Sequence, residues 1–163
     1  MKGETKIIAS LNSLLAGELT AIDQYFIHSE MLANWGLHRL AERLRHEVED
    51  ERGHARALIA RILFLEGVPD LATRAPLAVG KDVPHMLKND LAVELDVVKA
   101  LRAAIAECEK LHDYVTREML EQLLEDTEED HAHWLEQQLG LIRMVGQENY
   151  IQSQMGSPPG TAT

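Results

Sequence analysis

Glu51-Arg52-Gly53-His54 and Glu128-Glu129-Asp130-His131 decide how this chain is read. Each is a Glu-x-x-His step. Residues three apart share a face of an α-helix, so each step sets a carboxylate and an imidazole one turn apart. Two such steps, with a lone glutamate on each of two further helices, make a carboxylate-bridged pair of metal positions inside a four-helix bundle. Spacing supplies the lone glutamates. Glu18 lies 33 positions before Glu51, and Glu94 lies 34 positions before Glu128. The midpoint of the first pair is Asn34-Trp35-Gly36, a helix stop with a glycine. The midpoint of the second falls near Leu111-His112-Asp113. Residues equidistant from the turn of an antiparallel hairpin sit at one height, so Glu18 is expected to face Glu51, and Glu94 to face Glu128. Glu18 to Glu94 is 76 positions and Glu51 to Glu128 is 77, which describes a pseudo-repeat of two hairpins.

Each glutamate also occupies a place where an apolar residue belongs. Leu11, Leu15, Glu18, Ile22 and Tyr25 form one helical stripe. Leu44, Val48, Glu51, Ala55, Leu58, Ile62 and Leu65 form a second. Leu87, Leu91, Glu94, Val98, Leu101 and Ile105 form a third, and Leu124, Glu128, His131 and Leu135 a fourth. All four carboxylates are therefore expected to point inward. An unpaired buried carboxylate costs several kcal/mol, roughly, and four at one level repel one another. Two bound cations remove both penalties. A third match, Glu109-Lys110-Leu111-His112, has no facing partner and reads as a solvated helix end.

Helical periodicity covers roughly residues 5–34, 37–65, 84–111 and 114–145. Gly67, Pro69, Pro76 and Gly80 punctuate the stretch from Gly67 to Val83, and Pro84 suits the first turn of the next helix. These 17 residues reach ~56 Å at ~3.3 Å each. The second helix is ~43 Å long at ~1.5 Å per residue, so the connection can travel the whole bundle and let helices two and three run parallel. The expected fold is all-α, a ferritin-like four-helix bundle with one long crossover. Gln147 to Met155 reads as a short C-terminal fifth helix that suggests contact with another subunit, a fold back onto its own bundle being the alternative. Residues 1–155 then form one domain, and 156–163, with two adjacent prolines, a flexible tail.

Composition agrees. The 163 residues suffice for one domain with a substantial core. Aromatics are only 4%, so aliphatic side chains must fill it. Lys+Arg 16 against Asp+Glu 27 gives a net charge of −11, which disfavours nucleic acid and anionic membrane as partners and favours cations. The single cysteine, Cys108, rules out an intrachain disulfide and a cysteine metal cluster. Met1-Lys2-Gly3-Glu4-Thr5-Lys6 leads into no apolar signal core, and no apolar run spans a bilayer, so a cytoplasmic protein is expected.

The chain resembles the bacterioferritins over nearly its whole length. Beyond the metal pattern, the likeness rests on Met1-Lys2-Gly3, Asn34-Trp35-Gly36-Leu37, Arg61-Ile62-Leu63-Phe64-Leu65-Glu66-Gly67, His112-Asp113-Tyr114-Val115 and His133-Trp134-Leu135-Glu136. The resemblance implies a hollow shell of about twenty-four subunits that oxidises Fe(II) with O₂ or H₂O₂ and stores a ferric mineral. The family's ferroxidase ligands fall on Glu18, Glu51, His54, Glu94, Glu128 and His131. The last two are displaced by a one-residue insertion near Thr127. Glu51 and Glu128 would bridge the irons, Glu18 with His54 completing one and Glu94 with His131 the other. The resemblance gives Tyr25 a hydrogen-bonding or electron-donating place beside the centre. It matches His46 and Asp50 to an iron position on the cavity wall.

One departure concerns haem. The family binds haem b between two subunits through a methionine directly after the bridging glutamate. Here that position is Arg52, which offers no lone pair to iron. A homo-oligomer of this chain is therefore expected to lack haem, and Met31, on the neighbouring helix, reads as packing. The resemblance leaves room for a mixed shell with a haem-binding sister subunit and for a ferredoxin-type iron-release partner. A rubrerythrin-like peroxidase would usually need an electron-transfer module, and no cysteine knuckle is present. A purely structural bundle would replace some of the six ligands with apolar residues. A DNA-protecting mini-ferritin is disfavoured by a ligand set within one subunit and by the acidic charge.

Overall fold

The computed structural model describes residues 1–158 and 160. Four long rods make the bundle. They are α1 (Thr5–Asn34), α2 (His38–Phe64), α3 (Val83–Lys110) and a fourth rod in three pieces. That rod runs as α4 (Tyr114–Asp126), a π-helical turn over Thr127–Ala132, and α5 (His133–Val145). A short α6 (Gln147–Ser153) follows.

Local chemistry sets the ends. Gly36, at φ +80, supplies the left-handed residue that closes α1 before Leu37 starts the return. The Asp82 side chain caps α3 by accepting from the His85 amide at 2.8 Å, with Pro84 in the first turn. The Asp113 side chain caps α4 by accepting from the Thr116 amide at 3.1 Å. Arg61 of α2 donates to the same Asp113 at 3.0 Å and to the Thr116 hydroxyl at 2.7 Å, tying the second hairpin's turn to the first hairpin.

The crossover is a hydrogen-bonded ribbon along α1. Asn12 meets Val68 and Asp70, Thr20 accepts from the Ala75 amide, Gln24 from the Ala78 amide and His28 from the Gly80 amide. Each step moves down the crossover and down α1 together. The connection thus delivers α3 to the far end of α1, and α3 runs antiparallel to α1 and parallel to α2, as the reach of the segment allows. At its end, a Cβ on Gly80 would lie 2.4 Å from the Met86 amide nitrogen, so glycine is required for the chain to turn into α3.

Two apolar clusters fill the bundle. One gathers Leu11, Leu15, Leu58, Ile62, Leu101 and Leu120, and the buried Cys108 packs there. The other gathers Leu32, Leu40, Leu44, Met86, Leu87 and Leu135. Each such side chain contributes ~1.5–3 kcal/mol by burial. Between the clusters lies a polar layer containing Glu18, Glu51, His54, Glu94 and His131.

The fourth rod departs from the expected pattern. Its inward line is Leu120, Leu123, Thr127, His131 and Leu135, rather than Leu124, Glu128, His131 and Leu135. The π turn holds one extra residue, and it absorbs that residue after position 127.

α6 folds back on its own bundle. Tyr150 is buried, and its hydroxyl donates to Gln138 at 3.0 Å. The carbonyls of Met155 and Gln154 accept from the amides of His38 and Arg39 at 2.7 and 3.1 Å, capping the start of α2. The tail expected over 156–163 falls partly on Pro159 and residues 161–163, outside the described residues. Among the described residues, no helix is long and apolar enough to cross a membrane.

Candidate metal centre

Each rod sends its side chains to one height. Glu18 comes from α1, Glu51 and His54 from α2, Glu94 from α3 and His131 from the π turn, and all five are buried. Glu51 lies at the middle. One of its oxygens is 3.1 Å from His54 Nδ1 and the other 2.9 Å from His131 Nδ1. Glu18 stands 3.9 Å from His54 Nδ1, and Glu94 3.7 Å from His131 Nδ1. The two imidazoles stack with centroids 5.4 Å apart. Two groups of three result, Glu18–Glu51–His54 and Glu51–Glu94–His131, each with ligand atoms within 4.8 Å of one another. Glu51 belongs to both.

Glu128 does not join them. Its carboxylate lies 2.5 Å from Arg102, partly exposed on the outside of the rod. Thr127 holds the inward place, its hydroxyl donating to the Leu123 carbonyl at 2.7 Å. The cause is the π turn. One residue around a helix is ~100°, enough to carry a side chain from the core to the surface. The bridging position expected for Glu128 is therefore not occupied by it in this structure.

The other expected residues are placed as follows. The Tyr25 hydroxyl is buried and donates to Glu94. His46 pairs with Asp50 at 2.8 Å at the rim, and Asp50 forms a further possible metal group with Glu47 and His131. Arg52 is exposed and pairs with Glu49 at 2.5 Å. Glu109 sits at the open end of α3 against Arg117 at 2.6 Å.

Burial and mutual charge set the protonation states. Burial alone would raise Glu51, but the bonds from His131 and His54 prevail and hold it well below the usual carboxylate range. Glu18 is driven well above that range by burial and then by the charge on Glu51. Glu94 is pushed up to about 7, by burial first and Glu51 second. Burial would lower both imidazoles, yet the neighbouring carboxylates lift His54 to about 10 and His131 to about 12. Without a cation the layer therefore stores protons.

The donor set fits a divalent metal. Both oxygens of Glu18 and one of Glu94 are buried with no hydrogen-bond partner. Such atoms are costly unless something positive meets them. Carboxylate oxygen with imidazole nitrogen suits iron and similar first-row cations and lacks the softness that selects Cu(I).

Three features escaped the sequence reading. Glu47, one turn before Glu51, is buried beside His131. Its spacing, Glu47-x-x-x-Glu51-x-x-His54, carried the signal. Asp126 lies 3.6 Å from His54 Nε2. A buried group joins Asp90 to His28 and Gln24, each at 2.8 Å, next to the site. Its signal is weak, because its members are far apart in sequence.

A bundle of this topology, with carboxylates and imidazoles converging on two adjacent cation positions, defines a class of metal-binding helical proteins. The chain belongs to the ferritin-like domain family, whose pattern matches residues 8–145. It is 55% identical to a bacterial ferritin of Synechocystis over 155 residues, covering 95% of this chain and 99% of that protein. A bacterial ferritin of Neisseria meningitidis serogroup B is 52% identical, covering 95% and 100%. A bacterioferritin of Brucella melitensis is 43% identical, covering 93% and 94%.

Proposed function

We propose that this protein stores iron, and that its buried centre oxidises Fe(II). The observation that carries the reading is Glu51, which presents one oxygen to each of two imidazoles while Glu18 and Glu94 flank them. Glu18, Glu51 and His54 would hold one Fe(II), and Glu51, Glu94 and His131 the other. Glu128 is left out of this set. Iron here is the substrate. Each of the two Fe(II) ions gives up one electron, and O₂ or H₂O₂ accepts the pair together with two protons. The chain's part is to set the two cations side by side and to favour the ferric state with anionic oxygens. Tyr25 holds the Glu94 carboxylate in place through its hydroxyl. His46 and Asp50, at the rim, suit a further iron position.

Family membership supports a cytoplasmic shell of about twenty-four copies around a ferric mineral. Large side chains exposed on a single chain, Phe26, Leu63, Phe64 and Met144 among them, would be covered by neighbours in such a shell. Arg52 speaks for a shell with no haem of its own, unless a sister subunit supplies it. A ferredoxin-type reductant suits iron release. The test is stopped-flow Fe(II) oxidation by the assembled protein. Glu51→Ala removes the shared ligand and should abolish the rapid phase. Oxidation at the wild-type rate would refute the intrabundle centre.

A further inference from the structure

A cation has to reach a layer that is closed on nearly every side. The side chains of Glu18, Glu51 and Glu94 are 1% exposed and that of His131 is 2% exposed, whereas His54 is 8% exposed. His54 is thus the member of the centre nearest to water. Its Nδ1 looks inward, 3.1 Å from Glu51, and its Nε2 looks the other way, toward Asp126. Just behind the ring lie both oxygens of Glu18, buried and without a hydrogen-bond partner, one of them 3.9 Å from His54 Nδ1.

Asp126 joins this edge to solvent. Its carboxylate is 46% exposed and lies 3.6 Å from Nε2, beyond hydrogen-bond reach, so it is not spent on the ring. Its other oxygen meets the Gln122 amide at 3.3 Å. Further acids of the same rod carry a guanidinium: Glu121 has Arg117, Glu128 has Arg102 and Asp130 has Arg43. Among the described residues no lysine or arginine pairs with Asp126, so its charge stays free to attract a cation. A groove between α2 and α4 leads to it, lined by Ala57, Val115, Glu118, Met119, Gln122 and Leu123. Ala57 lies about one turn beyond His54, and Gln122 one turn before Asp126, so the groove runs on to the exposed edge of the ring. A cleft carrying unneutralised negative charge concentrates cations at its floor.

We propose that Asp126 is the passage residue through which divalent cations reach the Glu18–Glu51–His54 position. It captures the cation where the α2–α4 groove ends and hands it past the edge of the His54 ring to Glu18 and Glu51. This rests on the two-cation reading given above and adds the route. Asp126 acts on the rate of passage in both directions and is not a ligand of the filled centre.

Co(II) is the probe, because its absorption reports ligation without oxidation. The assembled apo-protein is mixed with Co(II) in a stopped-flow cell at low salt, and release is followed with excess chelator. Wild type should take up two Co(II) per chain. Asp126→Asn should slow uptake about threefold to tenfold. Release should slow by the same factor, leaving stoichiometry and Kd unchanged. The effect should shrink as salt is added, since a half-exposed charge is screened. Ala57→Leu, which narrows the groove without changing charge, should slow uptake at every salt concentration. Unchanged uptake in either variant overturns the proposal. Slowing by Asp50→Asn with none by Asp126→Asn places the entrance at the His46–Asp50 rim and also overturns it. Loss of one Co(II), or a weaker Kd with an unchanged uptake rate, makes Asp126 a ligand and overturns it too. A wild-type protein that takes up no Co(II) pair overturns the two-cation reading, and this inference with it.

Discussion

Glu128 pairs with Arg102 at 2.5 Å on the outer side of the fourth rod, and it does so because Thr127 holds the inward place. An exposed ion pair of this kind is worth ~0–1 kcal/mol. Glu128→Ala should therefore leave the thermal midpoint nearly unchanged. It should also leave two Co(II) sites, whereas Glu51→Ala should disable both. Parallel Co(II) titrations and melting curves check this. A Glu128→Ala protein that loses the paired site as Glu51→Ala does would show that the glutamate swings inward when cations arrive.

Removing the extra residue tests the cause directly. Deleting Thr127 should turn the π segment into regular α-helix and place Glu128 three residues before His131 on the inward line. The crystal structure should then show a further carboxylate beside Glu51, and Co(II) affinity should rise. An outward Glu128 in that deletion would mean that packing, and not residue count, sets its direction.

The hairpin heights, the parallel second and third helices and five of the converging side chains were legible in the sequence. Those signals are local. A carboxylate in an apolar stripe fixes a face, and a glycine stop fixes a turn. The outward direction of Glu128 in this structure was not legible, because the position of a π turn depends on which side chain packs best inside. Thr127 fits, with its hydroxyl satisfied by the Leu123 carbonyl. The contacts of Gln24 and His28 with Asp90 and the crossover span more than fifty positions, and no local pattern announces them.

Proton release should accompany cation uptake. His54 and His131 titrate near 10 and 12 in the apo fold, against about 6.5 when unfolded. Their stabilising contribution is complete below about pH 6.5 and is lost as pH rises through those values. The apo midpoint should thus fall between pH 7 and 10. Over the same range Co(II) binding should tighten, since ligands must shed protons first. Calorimetry in buffers of different ionisation enthalpy counts the protons; no release at pH 7 would contradict the protonated imidazoles.

Asp90→Ala leaves the Gln24 amide and the His28 ring without their buried acceptor. Each orphaned group costs about 1–3 kcal/mol. The melting midpoint should drop by several degrees, and protease cutting should appear first in the crossover. Gly80→Ala should have a comparable effect through its clash with Met86, at about 1–3 kcal/mol.

Haem content is the simplest measurement. Arg52 is exposed beside Glu49 and offers iron no ligand. The protein expressed alone should carry little or no haem, and Arg52→Met should gain some, seen as a bis-thioether low-spin spectrum. Stoichiometric haem in the wild-type homo-oligomer would point to another ligand, with Met31 the first to replace.

The carbonyls of Gln154 and Met155 close the open end of α2, and Arg39 reaches the Ser153 carbonyl across 114 positions of sequence. During synthesis the start of α2 emerges long before its cap exists. A chain cut before residue 153 should therefore lose these bonds and fray at the start of α2, far in sequence from the cut.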